Sequence, residues 1–444
     1  MRVLFVNPSW EYIEKKGKRY NRLWPPLSLL YCATDAKQKG HDVIIFDLNA
    51  EPDKIKELLN IANSFDFIFL TSSSLDRWQC PNLDIKPVES VLEKLPQGKV
   101  YLIGVHGTVM PEYFLKKFKI KAVIMAEPEE TVREIISGKS MKDIQGIAYL
   151  KNGKLVQNQR RQPINLSELP VPDYSLLPFK KYYYELMGGN FMLFETSRGC
   201  PFKCIYCYQE MFHNTYRKKP FEKVKEEIQT AVEKFNVRTG YLIDLELTVN
   251  KNGVNELCDF LIGKKYDFRW CCQTRADTVT EELLTKMKKA GCTLVHYGIE
   301  TGSPAIMELI NKKTTLEKIE KGIRMTNKSG METAGFFMFG FPGETEEDMQ
   351  KTIDFAKEIN PTYVSFHTAS IYPNTKLFTM VGGRLKLPFD EAYTKEHSLE
   401  KLKKMERKAF VQFYLRPRYI LTRLFTFNIN SLWKQFKLFL EFVR

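Results

Sequence analysis

The sequence predicts an α/β protein: a doubly wound parallel sheet, then a partial (β/α)6 barrel, then a helical C-terminal region. Three observations carry this. Strand-length apolar runs alternate with helical patterns over the first 136 residues or so, at the spacing of βα units. The alternation stops over residues 140–188, which are proline-punctuated, and resumes from Phe191. Near the C-terminus it gives way to basic and aromatic residues at helical spacing.

In order, "RVLFVN" reads as a buried strand and "PPLSLLYCATDAKQKG" as a helix that starts after a proline pair and stops at Gly40. "HDVIIFDLN" is the next strand, "DKIKELLNIANSF" a helix, and "DFIFLTSSS" a third strand ending in small hydroxyl residues. "VESVLEKL" leads to "KVYLIGVHGTVMPE", and "AVIMAEPEETVREII" closes the pattern. Loops at the C-terminal ends of these strands are expected at Ser72, Ser73 and Ser74 and at residues 104–108, where a doubly wound sheet places its ligand crevice. "GIAYLKNGKLVQNQ" reads as a hairpin with an Asn-Gly turn inside the connector. The later strands are "FMLFETS", "GYLIDLEL", "FRWCCQT", "LVHYGIE", "ETAGFFMFGF" and "PTYVSFHTAS", with helices such as "FEKVKEEIQTAVEKF" and "TEELLTKMKKAG" between them. Six such units suit a partial barrel with its site at the strand C-terminal ends. The expected divisions are residues 1–140, a connector 141–188, a barrel 189–385 and a basic helical region 386–444.

The chain of 444 residues is 43% hydrophobic, enough for sizeable cores. Its opening, "MRVLFVNPSW", reads as a strand rather than a cleaved leader, and no apolar run approaches the ~18 residues of a spanning helix. Nine cysteines without a disulfide spacing predict a reducing, cytosolic setting. The net charge of +14 is concentrated: residues 401–444 carry eleven Lys or Arg against two Glu, a net of +9.

Three of the nine cysteines fall within "ETSRGCPFKCIYCY", at Cys200, Cys204 and Cys207. A structural zinc or iron–sulfur site recruits four side chains. Three thiolates on one loop leave a metal position open, which is the arrangement of a reactive cluster; a zinc knuckle is the alternative.

The Cys-x3-Cys-x2-Cys spacing, the aromatic Tyr206 before the last cysteine and the placement after a strand resemble the radical S-adenosylmethionine (SAM) superfamily. The resemblance implies a [4Fe–4S] cluster on Cys200, Cys204 and Cys207, with SAM chelating the fourth iron and yielding a 5′-deoxyadenosyl radical on reduction by an electron donor such as ferredoxin or flavodoxin. It places Tyr206 near the adenine. "YGIETGS" looks like the motif whose glutamate, here Glu300, meets the SAM ribose. "CCQTRAD" brings Gln273 and Arg275 to a strand end, and "GFPGETEEDM" gives backbone room at Gly340 and Gly343, although a barrel ion pair and plain turns also explain these residues. The N-terminal half, with "PINLSELPVPDYSLLP", resembles the cobalamin-binding domain that precedes many radical SAM enzymes. Ser72, Ser73, Ser74, Gly104, His106, Gly107 and Thr108 would then cradle the nucleotide tail. The Asp-x-His-x-x-Gly signature is absent, so the axial ligand stays open, and His106 suits a loop hydrogen bond as well as a ligand. Only Cys32 and Cys80 precede Cys200, which ranks the tRNA methylthiotransferase branch low.

The expected activity is radical methylation of an unactivated carbon on a hydrophobic or lipid-like substrate. Radical cyclisation or oxidation with cobalamin as redox partner is the alternative, and a non-catalytic regulator the rival from another class. No catalytic side chain is singled out. In the basic region Phe410, Phe413, Tyr414, Ile420, Leu424, Trp433, Phe436 and Phe439 form apolar helical faces among Lys and Arg. Such faces suit a cap over the barrel, with or without an anionic membrane surface; nucleic acid ranks last.

Overall fold

The computed structural model describes residues 1–9, 22–73, 84–383, 395–417 and 419–421. The chain divides into two compact units. The N-terminal strand with residues 22–201 and 208–245 forms the first; residues 202–207 and those from 246 onward form the second.

In the first unit β1 (Arg2–Asn7), β2 (Asp42–Asp47), β3 (Phe67–Thr71), β4 (Val100–Ile103) and β5 (Ala122–Ile124) run parallel, in the order β2-β1-β3-β4-β5. The order reverses between β1 and β3, the switch point at which such sheets open a crevice. Val3, Leu4, Phe5 and Val6 are fully buried, as a strand covered on both faces requires. Helix α1 (Leu27–Gln38) starts directly behind Pro26, and the chain leaves it through Gly40 at φ +83°. The hairpin β6 (Ile147–Lys151) and β7 (Lys154–Gln157) turns at Asn152 and Gly153, both with positive φ. Sequence pattern places this hairpin in a connector. It instead extends the sheet, β6 pairing antiparallel with β5. A second difference lies at residues 104–108, expected as a loop: Gly104 precedes a short helix α2 (Val105–Val109). Helix α3 (Glu129–Ile136) follows β5. Further along, β8 (Phe191–Phe194), β9 (Ser197–Gly199), β10 (Tyr216–Lys218) and β11 (Thr239–Leu242) form two pairs, β8 parallel with β11 and β9 antiparallel with β10.

In the second unit β12 (Arg269–Thr274), β13 (Cys292–Glu300), β14 (Glu332–Phe339) and β15 (Tyr363–Thr368) are parallel neighbours in chain order. Helices α4 (Glu281–Lys289), α5 (Leu316–Lys328) and α6 (Glu346–Ile359) lie between them in sequence. Each begins at a threonine, Thr280, Thr315 or Thr345, whose side chain accepts a hydrogen bond from a first-turn amide. Each such cap stabilises its helix by ~1 kcal/mol. The two faces of the sheet differ. Tyr297 donates to or accepts from Thr326 of α5 at 2.7 Å, and Phe337, Phe339 and Phe366 stack with no exposed surface. The opposite face carries Gln273, His296, Phe336, Met338, Ser365 and His367, of which Gln273, Phe336, Met338 and His367 are only half-buried. That face is the less completely covered of the two.

The basic region begins as helix α7 (Leu399–Tyr414), which buries Leu402, Met405, Ala409, Phe410 and Phe413. Tyr414 Oη accepts from Val364 N at 2.8 Å and donates to Val364 O at 3.0 Å, so α7 covers the backbone of strand β15. Phe410, Phe413 and Tyr414 therefore serve packing. Leu424, Trp433, Phe436 and Phe439 lie outside the described residues, as do Ser74 and Cys80. No helix among the described residues is long and apolar enough to cross a membrane.

Candidate cluster and SAM site

The cysteine segment is held at both ends. Cys200, 3% exposed, follows β9 in the first unit. In the second unit the backbone of Ile205 is bonded on both sides, its N–H to Ile310 O at 3.1 Å and its carbonyl accepting from Leu377 N at 2.8 Å. Ile205 and Tyr206 pack with Ile306, Ile310, Phe341, Ala369 and Leu377, and Cys204, Cys207 and Met338 lie against this cluster. Apolar packing thus orients two half-buried thiols that burial alone would leave neutral.

Charge completes the task. A hydrogen bond from Cys207, then the Lys312 and Arg275 cations, outweigh burial and bring the Cys204 thiol down to about 6. Lys312, itself buried, pairs with Glu300 at 3.0 Å and reaches Tyr206 Oη at 3.5 Å. Burial works against its charge, but Glu300 and Cys204 hold its pKa above the usual lysine value. Glu300 ends β13 at a bulge, in the left-handed region at φ +73°, an unfavourable conformation for a residue with a Cβ and one that clusters at functional sites. Arg275 grips Asp277 through two hydrogen bonds of 2.9 and 2.8 Å and lies 4.0 Å over the Phe202 ring. Its Nη1 is buried with no hydrogen-bond partner. So is Glu246 Oε2, on a carboxyl that burial raises to about 8 despite Lys312 and Arg275.

Of the expected residues, Tyr206, Arg275 and Glu300 fall in one electrostatic neighbourhood with Cys204 and Cys207. The Tyr206 ring lies 5.8 Å from Phe341. Gly340 sits at φ +92°, where a Cβ would meet Leu402 Cδ1 at 2.8 Å, whereas Gly343, at φ +76°, has open space around it and serves a turn. Gln273 lies on the less covered sheet face, in register with His296. Lys312, Glu246 and Glu344 were not expected. Glu344 accepts from the Gly340 and Phe341 amides, and burial raises it to about 7. The fragment "GFPGET" contains it, but glycines dominate the reading of that motif.

The donors fit a [4Fe–4S] cluster with an exchangeable corner. Such a cluster needs thiolates, each on its own iron, so the cysteines need not converge on one point; among the described residues no three His, Cys, Asp or Glu side chains do. The other described cysteines are core residues. Cys32, Cys258, Cys271, Cys272 and Cys292 are 2% exposed or less, and burial pushes the Cys258 thiol up to about 12.

At the crevice end of the first unit the polar groups are tied to one another. His106 N donates to Ser72 Oγ at 3.2 Å, and His106 Nδ1 lies 2.7 Å from Ser72 O. Thr108 Oγ1 donates to Gly104 O and accepts from Ala126 N, both at 3.0 Å. Ser73 N and O both bond Thr71 Oγ1. A Cβ on Gly104, at φ +103°, would meet Ser72 Oγ at 2.8 Å; one on Gly107 would meet Val123 at 2.9 Å. These contacts fix the shape of the strand ends.

Residues 194–356 match the radical SAM superfamily, and residues 18–136 match the B12 binding domain. The chain is 31% identical to an uncharacterized methyltransferase of Pyrococcus horikoshii, over 96% of this chain and 95% of the relative. It is 28% identical to an anaerobic magnesium-protoporphyrin IX monomethyl ester cyclase of Rubrivivax gelatinosus, over 88% of this chain and 72% of the relative. Among solved structures, the cobalamin-dependent S-adenosylmethionine radical enzyme OxsB with aqua-cobalamin bound shares the fold, at TM-score 0.74 and 18% identity, over 98% of this chain and 70% of that one. A radical SAM core preceded by a B12-binding domain defines the class. The chain belongs to the cobalamin-binding radical SAM family of methyltransferases and cyclases, as an enzyme whose cofactors are a [4Fe–4S] cluster, SAM and cobalamin.

Proposed function

We propose that the enzyme methylates an unactivated carbon of a small molecule. Residues 1–140 would hold cobalamin, with the hairpin at 147–157 extending their sheet; the rest of 141–188 would connect to the radical SAM core at 189–385, which 386–444 support. The cofactors supply reductive SAM cleavage and a transferable methyl group; the chain supplies orientation and charge. Cys200, Cys204 and Cys207 hold the cluster. Arg275 offers its unpartnered Nη1 to the SAM carboxylate and Glu246 its Oε2 to the amino group. Glu300 serves the ribose, and Tyr206, Phe341 and Gly340 flank the adenine. The observation that carries this reading is geometric: beside Cys204 and the buried Lys312–Glu300 pair, Arg275 Nη1 and Glu246 Oε2 are buried atoms with no hydrogen-bond partner.

The substrate would lie on the less covered face of β12–β15. His296 stacks on Phe336 at 5.5 Å, and His367 Nε2 lies 2.7 Å from Ser365 Oγ. Imidazole, hydroxyl and amide groups around a phenyl ring suit a molecule with a flat apolar part and hydrogen-bonding groups better than a bare lipid chain. The test is anaerobic reconstitution with cobalamin, then turnover with methyl-deuterated SAM and a cell extract, read by mass spectrometry. Gain of a labelled methyl group supports methylation, and loss of two hydrogens without label means cyclisation or oxidation.

A membrane-surface reading has one observation in its favour. Beyond α7, Leu415, Ile420 and Leu421 are 51%, 42% and 53% exposed, within the basic region. With roughly 1 kcal/mol per basic residue near an anionic surface, full-length protein should sediment with anionic vesicles at low salt and release at high salt. Failure to sediment at low salt removes the membrane from the proposal. The same positive charge suits a small acidic electron carrier of the ferredoxin or flavodoxin kind.

A further inference from the structure

The five residues before Cys200 are all anchored within the first unit. Thr196 and Ser197 hydroxyls donate to Asp244, at 2.7 and 2.5 Å. Gly199, at φ +81°, has no room for a side chain: a Cβ would lie 1.7 Å from Thr215 O. Between them Arg198, its side chain fully buried, occupies a basket of three carboxylates. Nε and Nη2 donate to Glu195, Nη1 to Glu127 at 2.9 Å, and Nη2 also to Glu129 at 2.7 Å. Arg217 donates to the same Glu127 oxygen at 2.9 Å. Beside this basket Lys219 binds Glu227 at 2.6 Å and the Tyr31 hydroxyl of α1 at 2.7 Å.

Glu127 lies in the turn that follows β5 of the doubly wound sheet and Glu129 opens helix α3 directly after it, both about 70 residues from Arg198 in sequence. A buried ion network of this kind is a poor route to stability, because desolvation offsets most of its Coulomb gain and apolar packing does as well. What it provides is geometry: a planar guanidinium satisfied by three carboxylates has one orientation.

We infer that Arg198 is a positioning residue that fixes Cys200, the first cluster ligand, relative to the turn after β5 of the cobalamin-binding sheet. The inference rests on the cluster assignment above. It makes the start of the cysteine loop part of the N-terminal sheet's rigid frame, so that displacing Glu129 should be felt at the cluster.

The experiment uses full-length protein, reconstituted anaerobically, as wild type, Arg198→Lys, Glu129→Gln, the double variant and Cys200→Ala. Misplacing a reacting group by about 1 Å can cost about 100-fold, so Arg198→Lys should lower SAM cleavage by about 10–100-fold and alter the electron paramagnetic resonance line shape of the reduced cluster. Glu129→Gln should act in the same direction, and the double variant should fall short of the product of the two. Amide hydrogen exchange should speed up in residues 125–130 and 195–200 together. A wild-type line shape in both single variants, or faster exchange in 195–200 alone, overturns the inference. If Arg198→Lys does not fold, Glu129→Gln decides alone by line shape. Cys200→Ala separates the two levels: full iron loading in that variant refutes the ligand assignment itself, whatever Arg198 does.

Discussion

The strand-end regions of the two units are built on opposite plans. In the first unit His106 bonds Ser72, Ser73 bonds the Thr71 hydroxyl, and Thr108 bonds Gly104 O and Ala126 N. The result is a surface of fixed shape that presents little charge. Around Cys204, buried polar atoms on Arg275 and Glu246 lack partners, as does Glu344 Oε1 at the Gly340 turn, and Glu300 sits in a strained conformation. Leaving such groups unpaired costs about 1–3 kcal/mol each, a cost that a bound zwitterion removes. Shape suffices to seat a large preformed ring system, whereas a small ligand that must be oriented on an iron needs charges aimed at it. The comparison predicts that changes in the second region act on cofactor chemistry as well as on stability, and those in the first on stability alone.

The largest expected effect is at the thiols. Cys204→Ala or Cys207→Ala should abolish both the cluster's visible absorption and SAM cleavage, while Cys271→Ser keeps them. Loss of iron from the Cys271 variant would break the assignment. Next comes Lys312→Met. Removing one partner of a buried ion pair costs about 3–5 kcal/mol, here by stranding Glu300, so urea unfolding should register it. With the cation gone the Cys204 thiol rises from about 6. Iron loading should then fall at neutral pH and recover as pH is raised. A variant that loads iron like wild type at every pH would remove Lys312 from the electrostatic account.

Glu344 offers a smaller effect with a defined sign. Burial lifts its pKa from 4.5 to about 7, so the folded state binds the proton more tightly than the unfolded chain. Its contribution is fully present below pH 4.5 and is lost as pH rises to about 7, amounting to about 3 kcal/mol if the whole shift is expressed. Glu344→Gln keeps an acceptor for the Gly340 and Phe341 amides but cannot ionise. Urea midpoints of the cofactor-free proteins should therefore diverge between pH 4.5 and 7, the variant becoming relatively more stable. Parallel curves would mean that Glu344 titrates normally.

Local pattern made much of this legible. The strands expected on either side of the connector occur within a few residues, because period, proline and glycine mark them locally. The cysteine triad stands out by its spacing, whereas Tyr206, Arg275 and Glu300 were legible only through motifs that resemble the radical SAM superfamily. Lys312 was not: in "INKKT" it looks like half of a solvated lysine pair, and only the fold shows one of the two lysines turned inward to Glu300. Glu246 and the Arg198 basket were hidden for the same reason, since a buried charge is recognised by partners distant in sequence. The hairpin at Asn152 and Gly153 was visible as a hairpin, but nothing local says which sheet edge it joins.

The smallest expected effects belong to the crevice of the first unit and sharpen the contrast most directly. Gly104→Ala puts a Cβ at φ +103°, in a region that favours glycine, against Ser72 Oγ, which should cost roughly 1–3 kcal/mol of stability. His106→Gln removes the imidazole that lies 2.7 Å from Ser72 O, a loss of about 1 kcal/mol for one hydrogen bond. Both changes leave the Cys204 neighbourhood untouched, so iron loading should stay at the wild-type level. If His106 serves the loop alone, the reconstituted His106→Gln protein should take up cobalamin to the same stoichiometry and with the same visible spectrum. An axial imidazole would instead make that spectrum shift on substitution. The crevice would then bind through a metal–ligand bond as well as shape, and the division between a shaped region and a charged one would fail at that residue.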